Sequence, residues 1–174
     1  DLETTGFGKD DTIIEIGAID NYGNEFSKLI NPECEIPEFI QNLTGIEQKK
    51  IKYRHTIEQA RYLIENWFTF ENEEVYLIAH NGDKFDLRFL KKYFNIKCKQ
   101  IDTLKLFRKL IPNYHSHSIK SLCKMYDIDC RNHHRALDDV LLLKQLFVKA
   151  VDLYKIIYNV ETVTIEEIYD YIYA

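Results

Sequence analysis

Only three prolines and six glycines punctuate the 174 residues, too few for long linkers between independent domains. No apolar run approaches the ~18 residues that span a bilayer, and no signal peptide is visible. None of the four cysteines (Cys34, Cys98, Cys123 and Cys130) belongs to a C-x-x-C pair, and none has zinc-finger spacing with histidine. They read as small buried hydrophobes, reduced thiols of an intracellular, cytoplasmic protein. Basic residues are not in excess: 23 lysines and arginines stand against 28 aspartates and glutamates, for a net charge of −5. That balance argues against a broad basic face for holding a polyanion. It leaves room for a grip on a few anionic groups through bound cations, which reverse the local sign of an acidic cleft.

What is present is an ordinary globular mixture, 45% hydrophobic and 29% charged, enough for one domain with a sizeable core. Residues 1–174 read as that domain, with 155–174 a C-terminal extension whose apolar stripe either closes the core or meets a partner. Thr12 to Asp20 is a strand rich in β-branched residues, Asn21 to Asn24 supplies turn chemistry, and Glu25 to Ile30 returns. Short helical pieces are expected around Leu43 to Ile51, and a helix from Thr56, whose Ile57, Ala60, Leu63, Ile64, Trp67 and Phe68 share a face. Val75 to Ala79 and Lys97 to Ile101 read as further strands. Helices are expected around Phe85 to Tyr93, from the cap Asp102 through Leu110, over Ser118 to Tyr126, and from Arg135 to about Tyr154. A hairpin first, then strands alternating with helices, predicts an α/β chain with a mixed sheet flanked by helices. Asp1-Leu2-Glu3 reads as a strand end, and a strand needs ~5 residues, so a short apolar segment is expected ahead of Asp1.

Three local patterns carry chemistry. In Asp1-Leu2-Glu3 the strand period of two puts both carboxylates on one face and Leu2 in the core. Two adjacent anions repel unless a cation lies between them. In His80-Asn81-Gly82-Asp83-Lys84-Phe85-Asp86 a strand runs through a loop into a helix. Asp83 is the expected helix cap there and Asp86, in the first turn, the expected ligand. In His134-Arg135-Ala136-Leu137-Asp138-Asp139, five residues of regular helix rotate about 500°, leaving His134 and Asp139 about 140° apart. The two share a site only if His134 precedes the helix and Asp139 lies in an early turn. Asp139 borders the stripe of Ala136, Val140, Leu143 and Phe147 and so faces the sheet, whereas Asp138 and His133 read as surface residues. Each pattern alone is equally a solvated edge or a helix cap. Together they supply four carboxylates and a histidine at strand ends and helix starts. All-oxygen ligation suits Mg²⁺ or Mn²⁺ rather than zinc, and two such ions on shared carboxylates are a means of cleaving phosphodiesters.

The ordered set DLETTG, HNGDKFD and HRALDD resembles the DEDDh 3′–5′ exonucleases, a group that includes proofreading subunits and domains of bacterial replicative polymerases. Leu43-Thr44-Gly45-Ile46, Ile101-Asp102-Thr103-Leu104 and His117-Ser118-Ile119 match as well, so the resemblance runs from Asp1 to about Ala150. It implies an RNase H-like fold with a mixed five-stranded sheet. It implies two divalent cations, Mg²⁺ or Mn²⁺, on Asp1, Glu3, Asp86 and Asp139, with His134 as general base. Thr4, Phe7, Thr44, Ile46, His80, Asn81 and Phe85 would contact the 3′-terminal nucleotide. The implied substrate is the 3′ end of a nucleic acid, single-stranded and DNA rather than RNA, and a DNA polymerase is the implied partner. An RNA-trimming enzyme and a non-catalytic binding module are the alternatives.

Overall fold

The computed structural model describes residues 1–70, 74–130 and 135–174. Among these residues there are five strands and eight helices, with three strands first and the remaining two set among helices. β1 (Leu2–Thr4), β2 (Ile13–Ile19) and β3 (Glu25–Leu29) form an antiparallel ladder with β2 central. The hairpin between β2 and β3 is closed by Asp20, whose carboxylate accepts from the backbone N–H groups of Tyr22 (2.9 Å) and Asn24 (2.8 Å). This is the side-chain mimicry of a turn that favours aspartate there. β1 pairs Leu2 with Ile16 and Glu3 with Glu15, then slips so that Thr4 faces Ile13. β4 (Tyr76–Ala79) and β5 (Lys99–Asp102) form a second, parallel ladder in which Ala79 is level with Asp102. The five strands are thus two ladders, antiparallel and parallel, rather than one continuous ladder among the described residues.

Helices lie where apolar periodicity and caps place them. α1 (Glu38–Thr44) and α2 (Gln48–Ile51) occupy the first crossover. α1 begins five residues before the expected Leu43, with Pro37 at its N-cap position; a proline is tolerated at a helix start because no intrahelical N–H bond is required there. α3 (Ile57–Trp67) starts in a capping box between Thr56 and Gln59. α4 (Asp86–Tyr93) and α5 (Thr103–Leu110) leave the ends of β4 and β5. α6 (Ile119–Met125) is capped by Ser118. α7 (Ala136–Tyr158) outruns the expected end near Tyr154, because nothing breaks it before Asn159, which takes the left-handed conformation (φ 53°). Lys155 to Tyr158 therefore belong to this long helix. α8 (Ile165–Tyr173) opens with a Thr164–Glu167 capping box.

Two large apolar clusters fill the interior. One lies between the antiparallel ladder, α3 and α4, and includes Ile13, Ile16, Phe26, Ile64 and Phe89. The other joins β5, α5, α6 and α7 to α8, whose Ile168 and Ile172 are buried beside Ile101, Leu106 and Leu146. A smaller cluster of Ile14, Ile36, Ile40, Ile46 and Ile51 sits under α1 and α2. No described helix is long and apolar enough to cross a membrane.

Candidate active site

The carboxylates of Asp1, Glu3 and Asp139 each offer an oxygen, and these oxygens lie within 4.8 Å of one another. The strand period places the first two: Leu2 between them is buried in the core, so its neighbours must point to the opposite face. Asp139 reaches the same point from the first turn of α7, buried, while Asp138 beside it is exposed. Asp86 is the first residue of α4 and is 3% exposed. Its Oδ1 is buried and has no hydrogen-bond partner among the described residues. A buried carboxylate oxygen left without a partner is costly.

The electrostatics agree. Burial, then Asp139 and Glu15, raise the Glu3 carboxyl to a pKa of about 7. Burial also pushes Asp86 up. Two buried carboxyls that resist ionisation, Glu3 and Asp86, the latter with an orphaned oxygen, fit a site that a hard cation completes.

Residues that sequence reasoning passes over hold these groups in place. Glu15 lies on β2 directly opposite Glu3 and is 1% exposed. It accepts from Arg135 Nε (3.1 Å) and an Arg135 terminal nitrogen (2.7 Å), and from the backbone N–H of Ala136 (3.0 Å). This fork fixes the start of α7 against the sheet and neutralises the anion that would otherwise confront Glu3 alone. Two residues along, Gly17 lets the helix backbone approach: a Cβ there would lie 2.4 Å from the Ala136 carbonyl carbon. The sequence signal for this is a glutamate inside the apolar run Thr-Ile-Ile-Glu-Ile-Gly, too common a feature to single out.

Asp102 does more than cap α5. One oxygen accepts from the backbone N–H groups of Leu104 and Asn81, both at 2.9 Å, and the other from that of Asp83 at 3.4 Å. Asn81 has φ 60°, a left-handed turn that asparagine tolerates. It swings the chain out of β4 towards α4. Asp83 does not cap α4, contrary to the sequence expectation. Phe85 holds the N-cap position without a side-chain bond. The Asp83 carboxylate is drawn away by Lys105 and by the hydroxyl of Tyr173.

The residues expected at a terminal nucleotide are placed unevenly. Phe7 is 68% exposed, its ring centroid 5.7 Å from that of half-buried Phe85. Arg88 donates to the Phe7 carbonyl at 2.8 Å, bracing that loop. Thr4 is buried and donates to Gly6 O at 2.6 Å. Asn81 is exposed. The Nδ1 of His80 meets Thr103 Oγ1 at 2.9 Å, and burial lowers its pKa. Thr44 and Ile46 are buried, and the Thr44 hydroxyl donates back to Ile40 O at 2.9 Å. His134, the expected general base, and His133 lie outside the described residues.

Comparison with known proteins places this architecture. Residues 1–147 match the family model described as an exonuclease. The PolC-type DNA polymerase III of Caldanaerobacter subterraneus is 30% identical over 162 residues, which cover 87% of this chain and 11% of that protein. The 3′–5′ exonuclease DinG of Staphylococcus haemolyticus is 37% identical over 164 residues, 86% of this chain and 17% of that protein. The chain thus spans less than a fifth of either relative's length. Among solved structures, exonuclease X in complex with 5′-overhanging duplex DNA superposes with a TM-score of 0.74 at 24% identity, covering 99% of this chain and 96% of that one. The nuclease domain of 3′hExo, a DEDDh family member bound to rAMP, gives 0.72 at 18% identity, covering 87% and 89%. The fold is that of the RNase H-like α/β exonucleases. The chain belongs to the exonuclease family.

Proposed function

We propose that this chain hydrolyses nucleic acid from the 3′ end, releasing nucleoside monophosphates, with DNA preferred. The observation that carries this reading is the convergence of Asp1, Glu3 and Asp139 within 4.8 Å, with the unpartnered Oδ1 of Asp86 buried at the start of α4. Those four carboxylates are the groups that would hold two Mg²⁺ or Mn²⁺ ions. When bound, such ions make the attacking water more acidic and stabilise charge on the leaving oxygen. The chain's own residues do the rest. Phe7 and Phe85 offer ring faces on which a terminal base can stack without sequence preference. Thr4, at the end of β1, and the exposed Asn81 would contact the terminal nucleotide. His134, five residues before Asp139, takes the proton of the attacking water, a role its ordinary pKa of ~6.5 suits.

The DinG and PolC-type relatives support the 3′–5′ direction and DNA as polymer. The polymerase relative carries its matching stretch within one long chain, which favours a DNA polymerase as partner. A second reading, trimming of RNA, is favoured by the likeness in fold to a 3′-exonuclease that recognises a histone mRNA stem-loop, with a TM-score of 0.70.

The test is incubation of 5′-labelled single-stranded DNA and RNA of matched sequence with the protein and Mg²⁺ or Mn²⁺. A ladder shortening from the 3′ end, faster on DNA and abolished in Asp1→Ala, is expected. Faster loss of RNA would reverse the polymer preference. Binding of either polymer without any metal-dependent cleavage would leave only the non-catalytic module.

A further inference from the structure

An open cleft of about 620 Å³ begins at Asp139 and extends between α5 and the segment that leads into α6. Its walls include His80, Arg108, His115, Ser116 and His117. Of the residues expected at the terminal nucleotide, His80 alone lines it. The aromatic pair Phe7 and Phe85 does not. The cleft and the ring pair therefore differ in chemistry: a guanidinium, imidazoles and a hydroxyl line the one, and two phenyl rings make the other.

Arg108 is the notable member. It stands in the last turn of α5, exposed, and makes no hydrogen bond or ion pair with any described residue. In a chain of net charge −5, and with Asp139 in the same cleft, a guanidinium bonded to no carboxylate is available to an incoming anion. The loop opposite is held rather than loose. His117 Nε2 donates to Ile111 O at 3.0 Å, and His115 Nε2 meets Ser121 Oγ at 3.3 Å. The His115 ring packs on Tyr114 with centroids 4.4 Å apart.

We propose that Arg108, with Ser116, His115 and His117, binds the phosphate backbone on the 5′ side of the linkage to be cut. A strand leaves the carboxylate centre in two directions. Under the proposed function, on which this inference rests, the single 3′-terminal nucleotide goes to the Phe7 and Phe85 side. The cleft then receives the remainder of the strand. Guanidinium geometry matches a phosphate's paired oxygens, and hydroxyl and imidazole groups bond the backbone without reading bases. The subsite thus prefers a polymer of any sequence over a lone nucleotide.

Two substrates separate the possibilities: a single-stranded oligonucleotide, and a nitrophenyl ester of a nucleoside 5′-monophosphate, which has no upstream phosphate. In Arg108→Ala the ratio of kcat/KM on the oligonucleotide to that on the ester should fall about tenfold, as expected when one charge-assisted hydrogen bond is removed. The change should sit in KM, and Arg108→Lys should restore part of it. Oligonucleotide binding by fluorescence anisotropy with Ca²⁺ present, at several salt concentrations, should show a shallower slope of log affinity against log salt. The expected difference is about 0.7 for each phosphate that the variant no longer engages. A ratio and a slope equal to those of the parent protein would overturn the subsite. So would an equal fall on both substrates. If the parent protein cleaves neither substrate, the nuclease reading falls by itself, and the binding slope still decides whether Arg108 holds phosphate.

Discussion

The hydroxyl of Tyr173, in the last turn of α8, donates to Asp83 Oδ2 at 2.9 Å in the loop that turns β4 into α4. Lys105 completes the contact, pairing with the Asp83 carboxylate while its ammonium sits 4.6 Å from the centre of the Tyr173 ring. The C-terminal helix thereby touches the segment that presents Asn81, Phe85 and Asp86, as well as filling the core with Ile168 and Ile172.

Two substitutions separate these contributions. Ile168→Ala should cost about 2–5 kcal/mol, the usual range for emptying a fully buried aliphatic site. Tyr173→Phe should cost about 1 kcal/mol, since a bond to a charged acceptor near the surface is partly screened. Urea midpoints with an unchanged slope measure both. A Tyr173→Phe midpoint identical to that of the parent would mean the hydroxyl adds nothing to stability.

Gly17→Ala should loosen the seat of α7. The added methyl would meet the Ala136 backbone at 2.4 Å, and backbone yields less readily than a side chain. A destabilisation of about 1–3 kcal/mol is expected from overpacking. Because Asp139 rides on the same helical turn, Mn²⁺ affinity should fall with it. Calorimetric Mn²⁺ titration of the folded variant is the measurement, and parental affinity would show that the helix finds another seat.

Glu15→Ala should be more damaging than its position on a strand suggests. It leaves Arg135 without its fork and the Ala136 N–H without an acceptor. A cost of about 1–3 kcal/mol follows from stranding those donors, with thermal unfolding as the readout. Glu15→Gln retains an acceptor for Ala136 and should recover part of it.

The pH dependence of the metal-free protein follows from Glu3. Its carboxyl sits near a pKa of about 7 in the folded chain against ~4.3 in an unfolded one. The folded state then holds more protons than the unfolded state across that window. Stability should therefore fall as pH rises from about 4.5 to 7. Saturating Mn²⁺ should flatten this slope and add about 2.7 kcal/mol at a hundred times its Kd. Melting curves across pH, with and without Mn²⁺, test both. A metal-free stability that rises over this window would contradict the buried, unionised Glu3.

Much of the fold is legible in the chain because its signals are local. The β-branched run of β2, the helix start at Thr56, and the Ser118 and Asp102 caps each act within a few residues. The carboxylate pair Asp1 and Glu3 is readable for the same reason, since period two needs only neighbours. Asp139 lies in the first turn of α7, as a shared site would require, while His134 is outside the described residues. Long-range partnerships leave no such trace. Glu15 finds Arg135 across 120 positions, and Tyr173 finds Asp83 across 90. Asp83 looks like a helix cap in the sequence for that reason. Its carboxylate serves residues of α5 and α8, whose approach no local pattern encodes. The slip that sets Thr4 against Ile13 is likewise a property of two strands rather than of either one.

The division of the strands into two ladders bears on how the site is assembled. Asp1 and Glu3 belong to the antiparallel ladder, and Asp139 to the helix clasped to it. Asp86 hangs from the parallel ladder through α4. Among the described residues no backbone ladder joins β1 to β4. Long side chains of α4 reach across that gap: Arg88 to Phe7 O, and Lys92 to the carbonyls of Lys9 and Asp11. The centre draws its acids from both ladders, which the packing of α4 on the antiparallel strands already joins, and an ion shared by Asp86 and the other three acids would add a rivet. Such an ion would also stiffen the join between the strand that carries Asp1 and Glu3 and the helix that carries Asp86.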